Sequence, residues 1–446
     1  MRIVIKYPER FSNVFESVTG QKLFHPIHGI TNDSREVQVG DLYIALKGER
    51  VDGHAFLKAA SDAGASAALI SDKDDSLDFQ QICVGSPLRI IGQIANAWRN
   101  KFEIPVICIT GSNGKTSTKE LLVHVLQSSN NVHATKGNFN TTIGLPLTLL
   151  QLDDSHTVSV LEIGASAPGE IEKLCTIAEP THGIITNIAP AHLEGFGSIE
   201  TIAHEKGALF RALENGISFV NQADERVVDL NKPGEIISFG LTPECDFPAD
   251  IHTEPDGSLT LILDAHEIPT GSQNLSFIKN SIAVSAIAVT MGVDWEKVVD
   301  QIKSFLPPPG RCQVKQFKDI TVIDDTYNAN LISSLAALDY LKAFAGNGRR
   351  IFVFGDMFEL GPTSPEQHQQ VGEKCSELGL DGVFTLGEDT VHTDAAVHPD
   401  IQHFHFDTPD ALIENLKNNL HAGDKILFKG SRGMAMEKII EGVFVN

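Results

Sequence analysis

The sequence predicts an α/β protein of three domains, and three observations predict it. The chain has 446 residues, more than one hydrophobic core usually supports. Short apolar stretches alternate with helix-period patterns through the middle and last segments, as parallel sheets with crossover helices require. Two joints divide the chain. Residues 98–105 (WRNKFEIP) read as a polar hinge, and Leu306-Pro307-Pro308-Pro309-Gly310 is a stiff extended stretch that cannot continue a helix. The expected domains are therefore 1–98, 99–308 and 309–446.

Taken in order, residues 106–109 (VICI) read as a fully buried strand. Behind the turn that follows, Leu121, Leu122, Val125 and Leu126 fall at helical spacing. Residues 158–161 (VSVL) form a second strand that ends at Glu162, and 201–212 read as an amphipathic helix. In the last segment, strands are expected at 320–324, 351–354, 382–386, 401–406 and 425–428. The formal net charge of -23 argues against a nucleic-acid partner, since phosphate backbones need a basic face. The six cysteines are scattered without a C-x-x-C pair, which suits free thiols in a reducing compartment. The N-terminus lacks a signal-peptide layout, and no apolar run approaches the length of a membrane span. A soluble, cytoplasmic protein is expected.

The strand at 106–109 runs into Thr110-Gly111-Ser112-Asn113-Gly114-Lys115-Thr116. This is a phosphate cradle of the short form, because Ile109 stands where the longer P-loop has its first glycine. Gly111 and Gly114 permit backbone angles that aim N–H groups inward, and a helix N-terminus adds positive potential. Lys115 supplies a charge for the outer phosphates, and the Thr116 hydroxyl suits Mg²⁺. A plain glycine turn would not need lysine and threonine in this order. Glu162 puts a carboxylate at a strand's C-terminal edge, where ligands of open α/β sheets gather. The stretch TNIAPAHLEGFGSIETIAHEKGALF (186–210) adds His192, Glu194 and Lys206.

Together these pieces resemble the Mur ligases, ATP-dependent amide-bond-forming enzymes of peptidoglycan synthesis. The resemblance continues through ATKGNFNTTIGLPLTLL (134–150), EIGASAPGEIEKL (162–174) and NIAPAHLEGFGS (187–198). It extends to PPGR (308–311), DDTYNAN (324–330), GDMFELG (355–361) and KGSRGMAMEKI (429–439), so all three segments are covered in the family's order. It implies an N-terminal domain for the UDP-sugar, a central P-loop ATPase domain with a parallel sheet, and a Rossmann-like C-terminal domain. DDTYNAN, GDMFELG and ALKGERVDGHAF (45–56) point to the branch that adds D-alanyl-D-alanine to UDP-N-acetylmuramoyl-tripeptide. The rival branch adds meso-diaminopimelate or L-lysine to the dipeptide precursor. A P-loop ATPase or switch protein would share only the phosphate loop. Two positions depart from the branch: Leu331 replaces a proline, and Ser166-Ala167 replace Asn-His.

The resemblance also implies roles. ATP would lie on Thr110 to Thr116, with Asn280 at a helix start beside the adenine, Arg311 at the γ-phosphate and Asp325 at the ribose. Lys115, Glu162, His192, Lys206 and Arg311 would carry the catalysis. Two Mg²⁺ ions would be held by Thr116, Glu162 and His192, with Lys206 acting as its carbamate. The substrates would meet Ser34, Arg35, Gly53 and His54 in the first domain. Elsewhere they would meet Asn138, Tyr327, Asn328, Asn330, Asp356 and Lys429, with Glu359, Ser431 and Arg432 nearby. A monomer is expected, without a membrane span.

Overall fold

The computed structural model describes residues 2–48, 51–190, 193–344 and 346–445. In the first sheet, β1 (Arg2–Val4), β2 (Gly29–Thr31), β3 (Asp41–Ile44), β4 (Ala67–Ile70) and β5 (Gln80–Cys83) lie in sequence order. They are parallel except for β1. β3 and β4 are buried throughout, so they read as continuous apolar runs rather than alternating ones.

The expected hinge is instead a packed joint. Helix Pro87–Arg99 starts with Pro in its first turn and a Ser86 side-chain cap. It packs on helices Pro8–Thr19, Gly144–Leu149 and Glu170–Ala178. Trp98 is 1 % exposed, edge-on to Phe102, and its Nε1 donates to Leu152 O at 3.1 Å. Arg99 is also buried, and its Nε donates to Ala178 O at 2.9 Å. The charged letters of this stretch suggested solvent. Arg99 and an aromatic cluster make it the seam between the first and second sheets, while Asn100, Lys101 and Glu103 stay exposed.

The second sheet holds β6 (Val106–Thr110), β7 (Val132–Ala134), β8 (Val158–Glu162), β9 (His182–Ile185) and β10 (Ile217–Asn221). It continues with β11 (Glu235–Gly240), β12 (Phe247–Thr253), β13 (Leu259–Leu263) and β14 (His266–Ser272). The spatial order is β7-β8-β6-β9-β10-β11-β12-β13-β14. β7 to β12 are parallel. The last two strands return as antiparallel hairpins, so the middle segment is not purely parallel. The first hairpin turns through Asp256-Gly257, a readable Asp-Gly signal, whereas the second turns at Asp264 and Ala265, both at positive φ (47° and 62°).

β8 lies on one side of β6, and β9, the next strand in the chain, lies on the other. The strand order therefore switches at the C-terminal end of β6, the place where such sheets bind ligands.

The third sheet contains β15 (Gln313–Phe317), β16 (Ile320–Asp325), β17 (Arg350–Gly355), β18 (Gly382–Leu386), β19 (Gln402–Phe406) and β20 (Lys425–Lys429). Its order is β15-β16-β20-β17-β18-β19, parallel except for β15. Each strand expected in this segment is present to within a residue or so at its ends. β15 was not foreseen: it is a partly exposed edge strand with alternating polar residues. All six cysteines are free. Among the described residues, no helix is long and apolar enough to cross a membrane.

Candidate active site

A cleft of about 830 Å³ opens between the second and third sheets, and the phosphate loop forms its floor. Gly111 sits at φ +147°, and a Cβ built there would come 1.9 Å from Thr186 Oγ1. Gly114, at φ +81°, is the N-cap of helix Lys115–Leu126. The Thr118 N–H donates back to Gly114 O, so the preceding N–H groups point out of the helix's open end.

The loop is held from behind. Asn113 N–H donates to Asn187 Oδ1 (3.0 Å), and Asn113 O accepts from Thr186 Oγ1 (2.6 Å) and Asn187 Nδ2 (3.0 Å). The Ser112 hydroxyl donates to Ala189 O at 2.7 Å. Thr186 and Asn187 carry no signal of their own in the sequence. Only their placement at the end of β9 reveals their duty.

Lys115 curls over this loop, its Nζ donating to Gly111 O at 2.7 Å and Ser112 O at 3.3 Å. Burial holds its ammonium pKa below the usual lysine value, while Glu162 opposes that shift and Arg311 reinforces it. Glu162, the last residue of β8, is 3 % exposed. One of its oxygens accepts from Asn140 Nδ2 at 2.7 Å, and Oε2 has no hydrogen-bond partner among the described residues. A buried, unpaired carboxylate oxygen is costly unless a cation or donor completes it. Asn140 lines the cleft, whereas Asn138, the expected substrate contact two residues earlier, is exposed and does not line it.

The opposite wall comes from the third sheet. The Arg311 guanidinium lies 3.8 Å from the Tyr327 ring centroid and donates through Nη2 to Thr116 Oγ1 at 2.9 Å. Lys429 is 2 % exposed and pairs with Asp325 Oδ2 at 2.5 Å, while also donating to Asn328 O at 2.9 Å. Asn330 reaches across, its Nδ2 donating to Asn113 Oδ1 at 2.7 Å. Arg311, Asp325, Tyr327, Asn328, Asn330 and Lys429 thus all line the same cleft as the phosphate loop.

Sequence profiles then match in the same order as the three sheets. The Mur ligase family catalytic domain matches residues 26–100, the Mur ligase middle domain 109–288, and the Mur ligase glutamate ligase domain 310–432. The UDP-N-acetylmuramoyl-tripeptide--D-alanyl-D-alanine ligase of Synechocystis is 36 % identical over 423 residues, covering 93 % of this chain and 91 % of its own. The chain belongs to the Mur ligase family.

The corresponding ligase of Escherichia coli is 33 % identical, covering 94 % of both chains. Among solved structures, MurF from Acinetobacter baumannii superposes with a TM-score of 0.87 at 30 % identity, covering 98 % of both chains. MurF ligase from Thermotoga maritima, in complex with ADP, superposes with a TM-score of 0.82 at 30 % identity, covering 93 % of this chain and 97 % of its own.

The remaining expected residues divide between the cleft and its surroundings. Asn280 lines the cleft beside Gly114, but it sits in the second turn of helix Leu275–Thr290; the start is capped by Asn274. Asp356 does not line the cleft. Its carboxylate accepts three backbone N–H groups, from Glu388 (2.9 Å), Asp389 (3.1 Å) and Thr390 (2.9 Å). It organises the loop after β18. Ser431 braces the neighbouring turn by accepting Phe358 N–H at 2.8 Å, Arg432 pairs with Glu437 at 2.9 Å, and Glu359 O accepts Glu194 N–H at 3.4 Å.

In the first domain, Arg35 is 86 % exposed in its side chain and forks onto Asp33. His54 Nε2 accepts the Ser71 N–H at 3.0 Å, which leaves Nδ1 as the donor to Asp52 at 2.7 Å. His54 borders a second cavity of about 420 Å³ with Lys47, Ser86 and Thr142, whereas Ser34, Arg35 and Gly53 do not line it.

Lys206, on helix Ile199–Arg211, is 3 % exposed, and burial pushes its ammonium down to about 7. The nearby Lys115 charge pushes the same way, against Glu205. Glu205 itself accepts Gly169 N–H and Ile171 N–H, both at 2.6 Å, at the start of helix Glu170–Ala178. His192 lies outside the described residues. Among those described, no cluster of three His, Cys, Asp or Glu side chains gathers into a metal site.

Proposed function

We propose that this Mur ligase joins D-alanyl-D-alanine to UDP-N-acetylmuramoyl-tripeptide at the expense of ATP, through an acyl phosphate. The domains would be 1–98 for the UDP-muramoyl peptide, 99–308 for ATP and 309–446 for the incoming dipeptide. The observation that carries the reading is agreement over more than nine-tenths of both chains with ligases named for this reaction. The ADP bound by the Thermotoga maritima ligase supports the nucleotide.

A carboxylate is inert to amines because oxide cannot leave. Transfer of the γ-phosphoryl group makes phosphate the leaving group, after which the dipeptide amine attacks and amide, ADP and phosphate result. The first step brings anions together, so cations must offset charge and align the atoms. Lys115 and the N–H groups at the open helix end suit the phosphates. Arg311 reaches the same floor from the opposite wall. Thr116 Oγ1 and the unpaired Glu162 Oε2 suit one Mg²⁺, a hard cation that prefers oxygen. Glu162 with His192 would hold a second. When bound, Mg²⁺ would neutralise the phosphates and the acceptor carboxylate. Displacing Arg311 from the Thr116 hydroxyl would accompany that binding.

Lys206 suits its proposed carbamate because only a neutral amine attacks CO₂. Burial lowers the pKa of this ammonium, so more of the neutral amine is present at neutral pH than at an exposed lysine. The protein would act as a cytoplasmic monomer.

The test supplies the UDP-muramoyl tripeptide and ATP and varies the amine. ADP release should depend on D-Ala-D-Ala. A preference for free meso-diaminopimelate or L-lysine, with the dipeptide precursor as acceptor, would overturn the reading.

A further inference from the structure

Asn330 opens helix Leu331–Ala343 with a capping box: its Oδ1 accepts the Ser333 N–H at 2.9 Å, and Ser333 Oγ accepts the Asn330 N–H at 3.1 Å. That bond fixes the orientation of the amide, because the oxygen is used as an acceptor and Nδ2 must donate. Its partner at 2.7 Å is therefore Asn113 Oδ1, on the phosphate loop of the other sheet. The far side of the Asn113 amide is then also fixed. Its Nδ2 is buried and has no partner among the described residues, although Asn113 belongs to the cleft lining. The backbone of Asn113 cannot yield, since Asn187 and Thr186 grip both its N–H and its carbonyl.

We propose that Asn330 is a positioning residue, not a dipeptide contact: it docks the start of helix Leu331–Ala343, and with it Tyr327 and Asn328, onto the phosphate loop through Asn113. The residue that receives this contact, Asn113, belongs to the phosphate loop itself and lines the cleft. This rests on the ligase reading for the identity of the amine that the third domain presents.

Ser and Thr cap helices about as well as Asn but are too short to reach Asn113, so Asn330→Ser and Asn330→Thr separate capping from docking. Both should raise the KM for D-Ala-D-Ala about tenfold, as loss of one buried hydrogen bond of about 1.4 kcal/mol delivers. The Kd for ADP, measured calorimetrically, should stay within twofold. Asn113→Ala added to Asn330→Ser should raise the amine KM no further than either change alone. In X-ray scattering of the substrate-free enzyme, both Asn330 variants should have a larger radius of gyration than wild type. An unchanged amine KM with unchanged scattering, or strictly additive effects in the double variant, would reduce Asn330 to a helix cap. A wild type that ignores D-Ala-D-Ala would sink the ligase reading instead, and scattering would still decide the docking role.

Discussion

Replacing Lys206 with methionine should make the protein more stable and less active at once. The ammonium of Lys206 is nearly out of contact with water, and its pKa falls from 10.5 to about 7 on folding. The sign follows from proton binding. Between about pH 7 and 10.5 the unfolded chain holds a proton here that the folded chain releases, so stability rises with pH across that window. At pH 7 the penalty comes to about 4 kcal/mol, and methionine, similar in length and without a charge, removes it. In CO₂-free buffer at pH 7, Lys206→Met should therefore raise the denaturation midpoint, and its advantage over wild type should shrink steadily toward pH 10. Paired urea titrations at several pH values measure this, and ADP release measures the accompanying loss of turnover. A pH-independent difference between the two proteins would refute the buried-ammonium argument. Turnover near wild type would refute the carbamate.

Lys115→Ala should cost at least a hundredfold in turnover, since lost transition-state charge stabilisation is worth about 3 kcal/mol or more. Its melting temperature should hardly move, because the ammonium bonds only to loop carbonyls; near-normal ADP release would mean this loop is not the cradle. Gly111→Ala places a methyl 1.9 Å from Thr186 Oγ1 at a backbone angle that alanine resists, so calorimetry should find ADP affinity reduced by more than tenfold. Tight ADP binding by that variant would show that the loop can rearrange. Asp356→Ala strands three N–H groups and should lower unfolding free energy by about 2–4 kcal/mol while leaving the amine KM within about threefold. A large KM rise without destabilisation would return Asp356 to the substrate.

What the sequence determined by itself is local. The apolar run 106–109, two glycines at fixed spacing, Lys115 and Thr116 specify strand, turn and helix because backbone angles and hydrogen bonds within a dozen residues decide them. Glu162 was legible for a similar reason: a buried strand that stops at a carboxylate places it at the sheet's edge. The motifs also carried the family, since all three segments hold one in order. Which side chains meet across sheets depends instead on the folded arrangement. Asn330, expected at the substrate, also caps a helix and bonds to Asn113, a partner 217 residues away. Asp356 was bound to a loop after β18, and Asn140 rather than Asn138 faced Glu162. Residues 98–105 looked polar and proved to be a seam, because burial depends on the helices that arrive from residues 144–149 and 170–178. Spacing along a chain reports which face a residue occupies on its own element. It does not report the strand order and crossovers that bring another element's side chain opposite, and in this cleft those set the partners.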